Sequence, residues 1–321
     1  MTDPAFSALQ TQMFQLYQQG DYEAALQLVA QEAGRFPQQA HLLDYWRVCL
    51  AAQAGDRQQA LEILQEALAS GQWYPESQLR EDEDLASLQG LPEFERLVEI
   101  SRERHSAAQH GVRPALTILA PAAMEQAKGP PRPLLMALHG NQSSAAEHAP
   151  LWQAAGDDWL VALPQSSQLG GPGQYVWPDL DLAGDELAAH YAGIHQHYLV
   201  DPDRVVLAGF SRGGEAAIWL ALTGRLPARG FLAVVPGGPL TRDPAQWLPA
   251  IEAAEGRDLR GFIVGGGQDL LIAQTRQFVA MLEEHGFRCQ LRLYPELGHE
   301  YPPDFAALLP EALKYLVGMA G

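Results

Sequence analysis

The last two-thirds of the chain carries seven short strand-like runs, at residues 116–119, 134–138, 160–163, 205–208, 232–235, 262–264 and 290–294. Several are apolar at consecutive positions rather than alternate ones. A strand with one wet face alternates apolar and polar residues, so consecutive apolar positions indicate strands covered on both faces. Between the runs, at about 183–198, 213–222, 273–285 and 304–317, the apolar spacing turns helical. Strand and helix in alternation leave few options: a mainly parallel α/β sheet with helices on both faces.

The first hundred residues have a different texture. Gly20-Asp21-Tyr22-Glu23-Ala24-Ala25-Leu26 recurs as Gly55-Asp56-Arg57-Gln58-Gln59-Ala60-Leu61, an offset that suits stacked helical hairpins. In each copy Gly turns the chain, Asp caps the next helix and a small Ala lets helices approach. Phe6, Leu9, Met13 and Leu16 supply one apolar face, and Leu42, Leu43, Trp46, Cys49 and Leu50 the corresponding one a repeat later. The pattern resembles the tetratricopeptide repeat, with Pro37 closing the first unit. Glu81-Asp82-Glu83-Asp84 is expected as a solvated turn or helix start, with Pro92 opening a last helix. The division expected is an all-α helical-repeat domain over residues 1–107 and an α/β domain over 113–321.

Composition excludes several classes. A net charge of −18 repels phosphate backbones and anionic lipid headgroups, and no local basic patch offsets it, so nucleic acid is not an expected partner. No run of apolar residues is long enough for a membrane span. Met1-Thr2-Asp3-Pro4 lacks the pattern of a secretion signal, and a cytoplasmic location is expected. Cys49 and Cys289 have no metal-type spacing and are expected as buried free thiols, without a zinc site. His190, His195 and His197 lie on one expected helix without the spacing of a zinc-binding pair, and fit a solvated face.

The chemistry concentrates in Gly209-Phe210-Ser211-Arg212-Gly213-Gly214. Its G-x-S-x-G core is weak by itself, but it follows an apolar run and precedes a helical one, so Ser211 is expected at a sharp strand-to-helix turn. A serine hydroxyl is a poor nucleophile near neutral pH and needs a base. His299, in Leu297-Gly298-His299-Glu300, follows the last strand run and is the candidate. The base needs an anion to fix its tautomer, and Asp269 follows the preceding run in Gly265-Gly266-Gly267-Gln268-Asp269. Asp269 is also suited to cap a helix, and Asp243 and Asp179 are fallback acids. Leu138-His139-Gly140-Asn141-Gln142 closes an early run. The backbone N–H of Asn141, with Gln142 its rival, and that of Arg212 are the candidate oxyanion donors. The Arg212 side chain has two readings, contact with an acidic substrate or a pair with Glu215 one turn on, and the pair is favoured.

Taken together, residues 113–318 resemble the α/β-hydrolase family, in particular its carboxylesterase/phospholipase and dienelactone-hydrolase-like branches. The resemblance implies ester or thioester hydrolysis through an acyl-enzyme on Ser211, without cofactor, acting on a small-molecule ester. Two other readings stand beside it: an interaction protein with a vestigial hydrolase domain, and a peptidase similar to the prolyl-oligopeptidase branch. The helical domain is expected to offer a surface to a protein partner or to a second copy of the chain. The roughly 25 residues between the fifth and sixth runs are too few for a helical cap domain. The candidate cleft walls are the Gly/Pro-rich loop 165–181, which holds Tyr175 and Trp177, and Trp247.

Overall fold

The computed structural model describes residues 4–119 and 130–318. Six helices come first: α1 (Pro4–Gln18), α2 (Tyr22–Glu32), α3 (Ala40–Gln53), α4 (Arg57–Ala69), α5 (Glu76–Glu81) and α6 (Pro92–Gln109). The two halves of the sequence repeat are equivalent in detail. Gly20 and Gly55 both take positive φ, +75° and +86°, and the carboxylates that follow them cap α2 and α4. Asp21 accepts the Ala24 N–H at 3.2 Å, and Asp56 accepts the Gln59 N–H at 2.9 Å. Ala25 and Ala60 are fully buried where neighbouring helices approach. Pro92 opens α6, as its fixed φ and missing N–H favour.

The acidic run 81–84 joins the end of α5 to a 3₁₀ helix that starts at Glu83, and it is not merely solvated. Asp82 and Asp84 are half-buried, and their carboxylates accept from Tyr45 Oη at 2.7 Å and Tyr17 Oη at 2.6 Å.

The remainder forms β1 (Ala115–Leu119), β2 (Arg132–Leu138), α7 (Ala145–Trp152), β3 (Leu160–Gln165), β4 (Leu169–Gly171), β5 (Gln174–Tyr175), α8 (Leu180–His197), β6 (Val200–Phe210) and α9 (Arg212–Thr223). Then come β7 (Gly230–Val234), α10 (Pro239–Arg242), α11 (Leu248–Ala254), β8 (Arg260–Gly266), α12 (Ile272–Glu284), β9 (Arg288–Tyr294) and α13 (Phe305–Leu316). All seven expected strand runs enter one sheet of order β1-β3-β2-β6-β7-β8-β9, in which only β1 runs antiparallel. The short β4–β5 pair was not anticipated.

Both faces of the sheet are covered, as the consecutive apolar positions require. Leu134, Met136 and Leu138 of β2 pack on one face with Leu187 of α8, Ile218 of α9, Ile251 of α11 and Phe278 of α12. Leu135 and Ala137 pack on the other with Trp152 of α7 and Leu309 and Leu313 of α13. Only the short α10 and α11 and a single 3₁₀ turn lie between β7 and β8, so no cap domain is inserted there.

The described residues divide into two compact units: 113–119 and 130–168 with 175–318, and 4–112 with 169–174. Cys49 and Cys289 are buried and unpaired. Among the described residues no helix is long and apolar enough to cross a membrane.

Candidate active site

Parallel strands send the loops that follow them to one edge of the sheet, and polar groups gather there. Ser211 follows β6, Asp269 follows β8, His299 follows β9, and Asn141 follows β2.

Ser211 sits between strand and helix at φ +52° and ψ −122°, a backbone conformation that costs energy for any residue with a side chain. The neighbouring glycines explain how the turn closes. A β-carbon at Gly209 would overlap the backbone of Gly213, and one at Gly213 would lie 2.6 Å from the Leu138 carbonyl oxygen. The helix therefore starts against the strand ends with no room for side chains. Arg212 is the first residue of α9, so its N–H has no acceptor within the helix and points with the positive end of the helix dipole.

The loops bring three side chains into line. His299 Nε2 lies 2.8 Å from Ser211 Oγ, and His299 Nδ1 lies 2.5 Å from Asp269 Oδ2. A carboxylate only accepts, so Nδ1 carries the proton and Nε2 presents its lone pair to the Ser211 hydroxyl. The other Asp269 oxygen accepts the Leu271 N–H at 2.8 Å, but α12 begins at Ile272 with Leu271 in the capping position, so the expected helix cap by Asp269 is not formed. Asp269 is buried, whereas the His299 side chain is 35 % exposed. The fallback acids are engaged elsewhere, Asp179 capping α8 through the Leu182 N–H at 2.9 Å and Asp243 accepting from Gln246 at 3.1 Å.

The glycine run before Asp269 also has a steric reason. β-Carbons at Gly266 and Gly267 would collide with the carbonyl groups of Leu297, Gly298 and Pro295. The Gln268 N–H donates to Leu297 O at 2.9 Å and the Gly267 N–H to Tyr294 O at 2.8 Å. The loops carrying Asp269 and His299 are thus laced backbone to backbone.

His139 is fully buried and structural. Its Nδ1 donates to Gly140 O at 2.7 Å, while Nε2 accepts the Ser166 N–H at 3.3 Å. Burial pulls its pKa down to about 4, so the ring is neutral. The His139 carbonyl accepts from Trp177 Nε1 at 2.9 Å, and Asn141 Oδ1 accepts the Trp177 N–H at 3.4 Å. Trp177 is completely buried and so supports the Asn141 loop rather than walling the cleft. Trp247 is likewise a core residue, 1 % exposed and packed on Phe278 at 4.8 Å. Both differ from the expectation because a large ring gains most by burial, whatever element carries it. Tyr175 is half-buried and bridges to Ser143.

The Arg212 guanidinium pairs with Glu215, which is fully buried, and donates to Trp177 O at 2.8 Å and Pro178 O at 3.2 Å. Its donors are committed inside the protein, so the pair and not a substrate contact is the finding.

Two features had no signal in the sequence. Val235 adopts φ +39°, unusual for a β-branched residue, just before Pro236 and Gly237. A β-carbon at Gly237 would lie 3.5 Å from Ser211 Oγ and 3.4 Å from His299 Cε1, so Gly237 borders the space over the hydroxyl.

Residues 5–109 match a family model described as the α/β-hydrolase-like N-terminal domain. Among solved structures, the fold is similar to an uncharacterized protein from Bacillus cereus ATCC 10987 at 28% identity, covering 97% of this chain and 98% of that one, with a TM-score of 0.53. It is also similar to fluorophosphonate-binding serine hydrolase F of Staphylococcus aureus at 17% identity, covering 63% of this chain and 91% of that one, with a TM-score of 0.51. This chain is an α/β-hydrolase-fold protein. No curated protein matches it. The family model falls on the six helices that precede the α/β-hydrolase sheet.

A group with metal-ligand atoms lies among the helices that precede the sheet. Among the described residues Cys49, Asp82 and Asp84 offer ligand atoms within 4.8 Å of one another. Burial pushes the Cys49 thiol well up, and both carboxylates already accept from tyrosines, so the group is accounted for by its own hydrogen bonds. His195 and His197 are exposed and His190 is half-buried.

Proposed function

We propose that this protein hydrolyses carboxylic esters or thioesters through an acyl-enzyme on Ser211. The observation that carries the proposal is the continuous line from Ser211 Oγ through the His299 ring to Asp269 Oδ2. As Oγ bonds to the carbonyl carbon, its proton passes to His299 Nε2, and the imidazolium is held by Asp269. The carbonyl electron pair moves onto oxygen, where the backbone N–H groups of Arg212 and Asn141 are the donors we assign. Collapse of this intermediate breaks the bond to the leaving group, which takes the proton from Nε2. Water then attacks the acyl carbon, gives its proton to His299, and Ser211 leaves protonated. The Staphylococcus aureus neighbour is described as a fluorophosphonate-binding serine hydrolase, which agrees with a nucleophilic serine on this scaffold.

Turnover of p-nitrophenyl acetate and butyrate, measured beside an aminoacyl-proline p-nitroanilide, tests the assignment. Ester hydrolysis by the wild type, abolished in Ser211→Ala, is the expected result. Faster cleavage of the amide would favour a peptidase, and ester turnover that survives in Ser211→Ala would remove Ser211 from the chemistry.

A further inference from the structure

His148 lies on α7, apart from the line of three side chains, yet it touches the loops around them. Its Nε2 is 3.4 Å from the Gly140 N–H and 3.0 Å from Ser143 Oγ, both on the loop that carries Asn141. Its Nδ1 is 2.8 Å from Tyr301 Oη, two residues beyond His299. An amide N–H can only donate, so Nε2 is the acceptor and Nδ1 holds the proton that goes to Tyr301. The Tyr301 ring stacks on Phe210, the residue before Ser211, with centroids 4.6 Å apart and planes at 15°. Phe210 in turn lies against Gly140, where a β-carbon would be 2.9 Å from Cδ1. One imidazole thus joins the loop after β2, the turn after β6 and the loop after β9.

We infer that His148 is a positioning residue: by bonding Gly140 on one side and Tyr301 on the other, it fixes the Asn141 loop relative to His299 and Ser211. This rests on the proposal that Ser211 is the nucleophile. Two facts suit His148 to the task. His148 is buried, 8 % exposed as a residue, so neither bond competes with bulk water. Burial also holds its pKa down to about 3, so the neutral tautomer with one donor and one acceptor persists across the working range. An oxyanion donor acts only when held at the right distance from the developing charge, and a displacement near 1 Å costs roughly a hundredfold in rate.

The test uses the full chain and p-nitrophenyl acetate, with Tyr301→Phe, His148→Leu, their double variant, His148→Gln and Ser211→Ala. Tyr301→Phe keeps the stacked ring and loses only the hydroxyl. A positioning role predicts kcat lowered roughly tenfold or more in Tyr301→Phe and His148→Leu, with KM within about twofold. It also predicts a double variant no worse than the poorer single one, because both cut the same link. His148→Gln, which keeps an acceptor for the Gly140 N–H, recovers the greater part of kcat. Unchanged kcat in Tyr301→Phe, losses that multiply in the double variant, or a rise in KM alone would overturn the inference, and Tyr301→Phe decides if His148→Leu does not fold. Equal turnover by wild type and Ser211→Ala would show instead that the nucleophile is misassigned, and the inference would fall with it.

Discussion

The carbonyl oxygen of His139 occupies the place where a β-carbon of residue 213 would stand. Both groups are backbone, one at the end of β2 and the other in the first turn of α9, so neither can rotate aside. Gly213→Ala is therefore expected to push the helix off the strand ends, lowering stability by about 1–3 kcal/mol or preventing folding. Urea unfolding of the variant checks this, and a stability equal to that of the wild type would contradict it.

Gly237→Ala has the opposite character. The added methyl meets Ser211 Oγ, His299 Cε1 and a Leu271 methyl at 3.4–3.6 Å, which is ordinary van der Waals contact. The variant is expected to fold with stability within about 1 kcal/mol of wild type. It should nonetheless lose activity, more on p-nitrophenyl butyrate than on the acetate, because the methyl takes space beside the hydroxyl. An unchanged butyrate-to-acetate ratio would place the acyl group elsewhere.

Arg212 and Glu215 are expected to behave as one unit. Arg212→Met removes the cation and leaves a carboxylate that is completely buried, with the Thr241 N–H at 2.7 Å as a remaining donor. Breaking one side of such a pair costs about 3–5 kcal/mol, while an apolar replacement of both is far milder. Chemical denaturation should show Arg212→Met as the less stable and Arg212→Met/Glu215→Leu as largely recovered. Because the assigned oxyanion donor is the backbone N–H of Arg212, activity per folded Arg212→Met molecule should stay within a few-fold of wild type.

The buried imidazoles tie stability to pH. Burial pulls His139 from 6.5 to about 4 and His148 from 6.5 to about 3. Between these values and 6.5 the unfolded chain binds more protons than the folded one, so stability is full above pH 6.5 and falls as pH drops below it. Each ring contributes a slope of up to about 1.4 kcal/mol per pH unit in that window. Urea midpoints from pH 7.5 to 4.5 should fall less steeply in His148→Gln than in wild type. Parallel slopes would show that His148 is not the titrating group.

How much of this is legible in the sequence depends on how local the signal is. Apolar runs such as 134–138 and 205–208 announce buried strands because they are short, apolar at consecutive positions and bounded by turn residues. Gly209 and Gly213 mark a turn too tight for side chains, and that requirement is itself local. The partners of those glycines are not local. Nothing near Gly266 tells that the Leu297 and Gly298 carbonyls press on it. Nor does the Gly/Pro-rich stretch around Trp177 tell that the ring turns inward to bond His139. His148 is hidden for a further reason: Pro150 sits inside its helix, and a proline there reads as a break rather than as part of an element that aims a side chain.

The central claim is that the Ser211 hydroxyl is the nucleophile. Its most direct test is intact mass after treatment with a fluorophosphonate, for wild type and Ser211→Ala side by side. A single phosphonyl adduct on the wild type and none on Ser211→Ala is the result expected. The same adduct on both proteins, or none on the wild type after prolonged exposure, would contradict it.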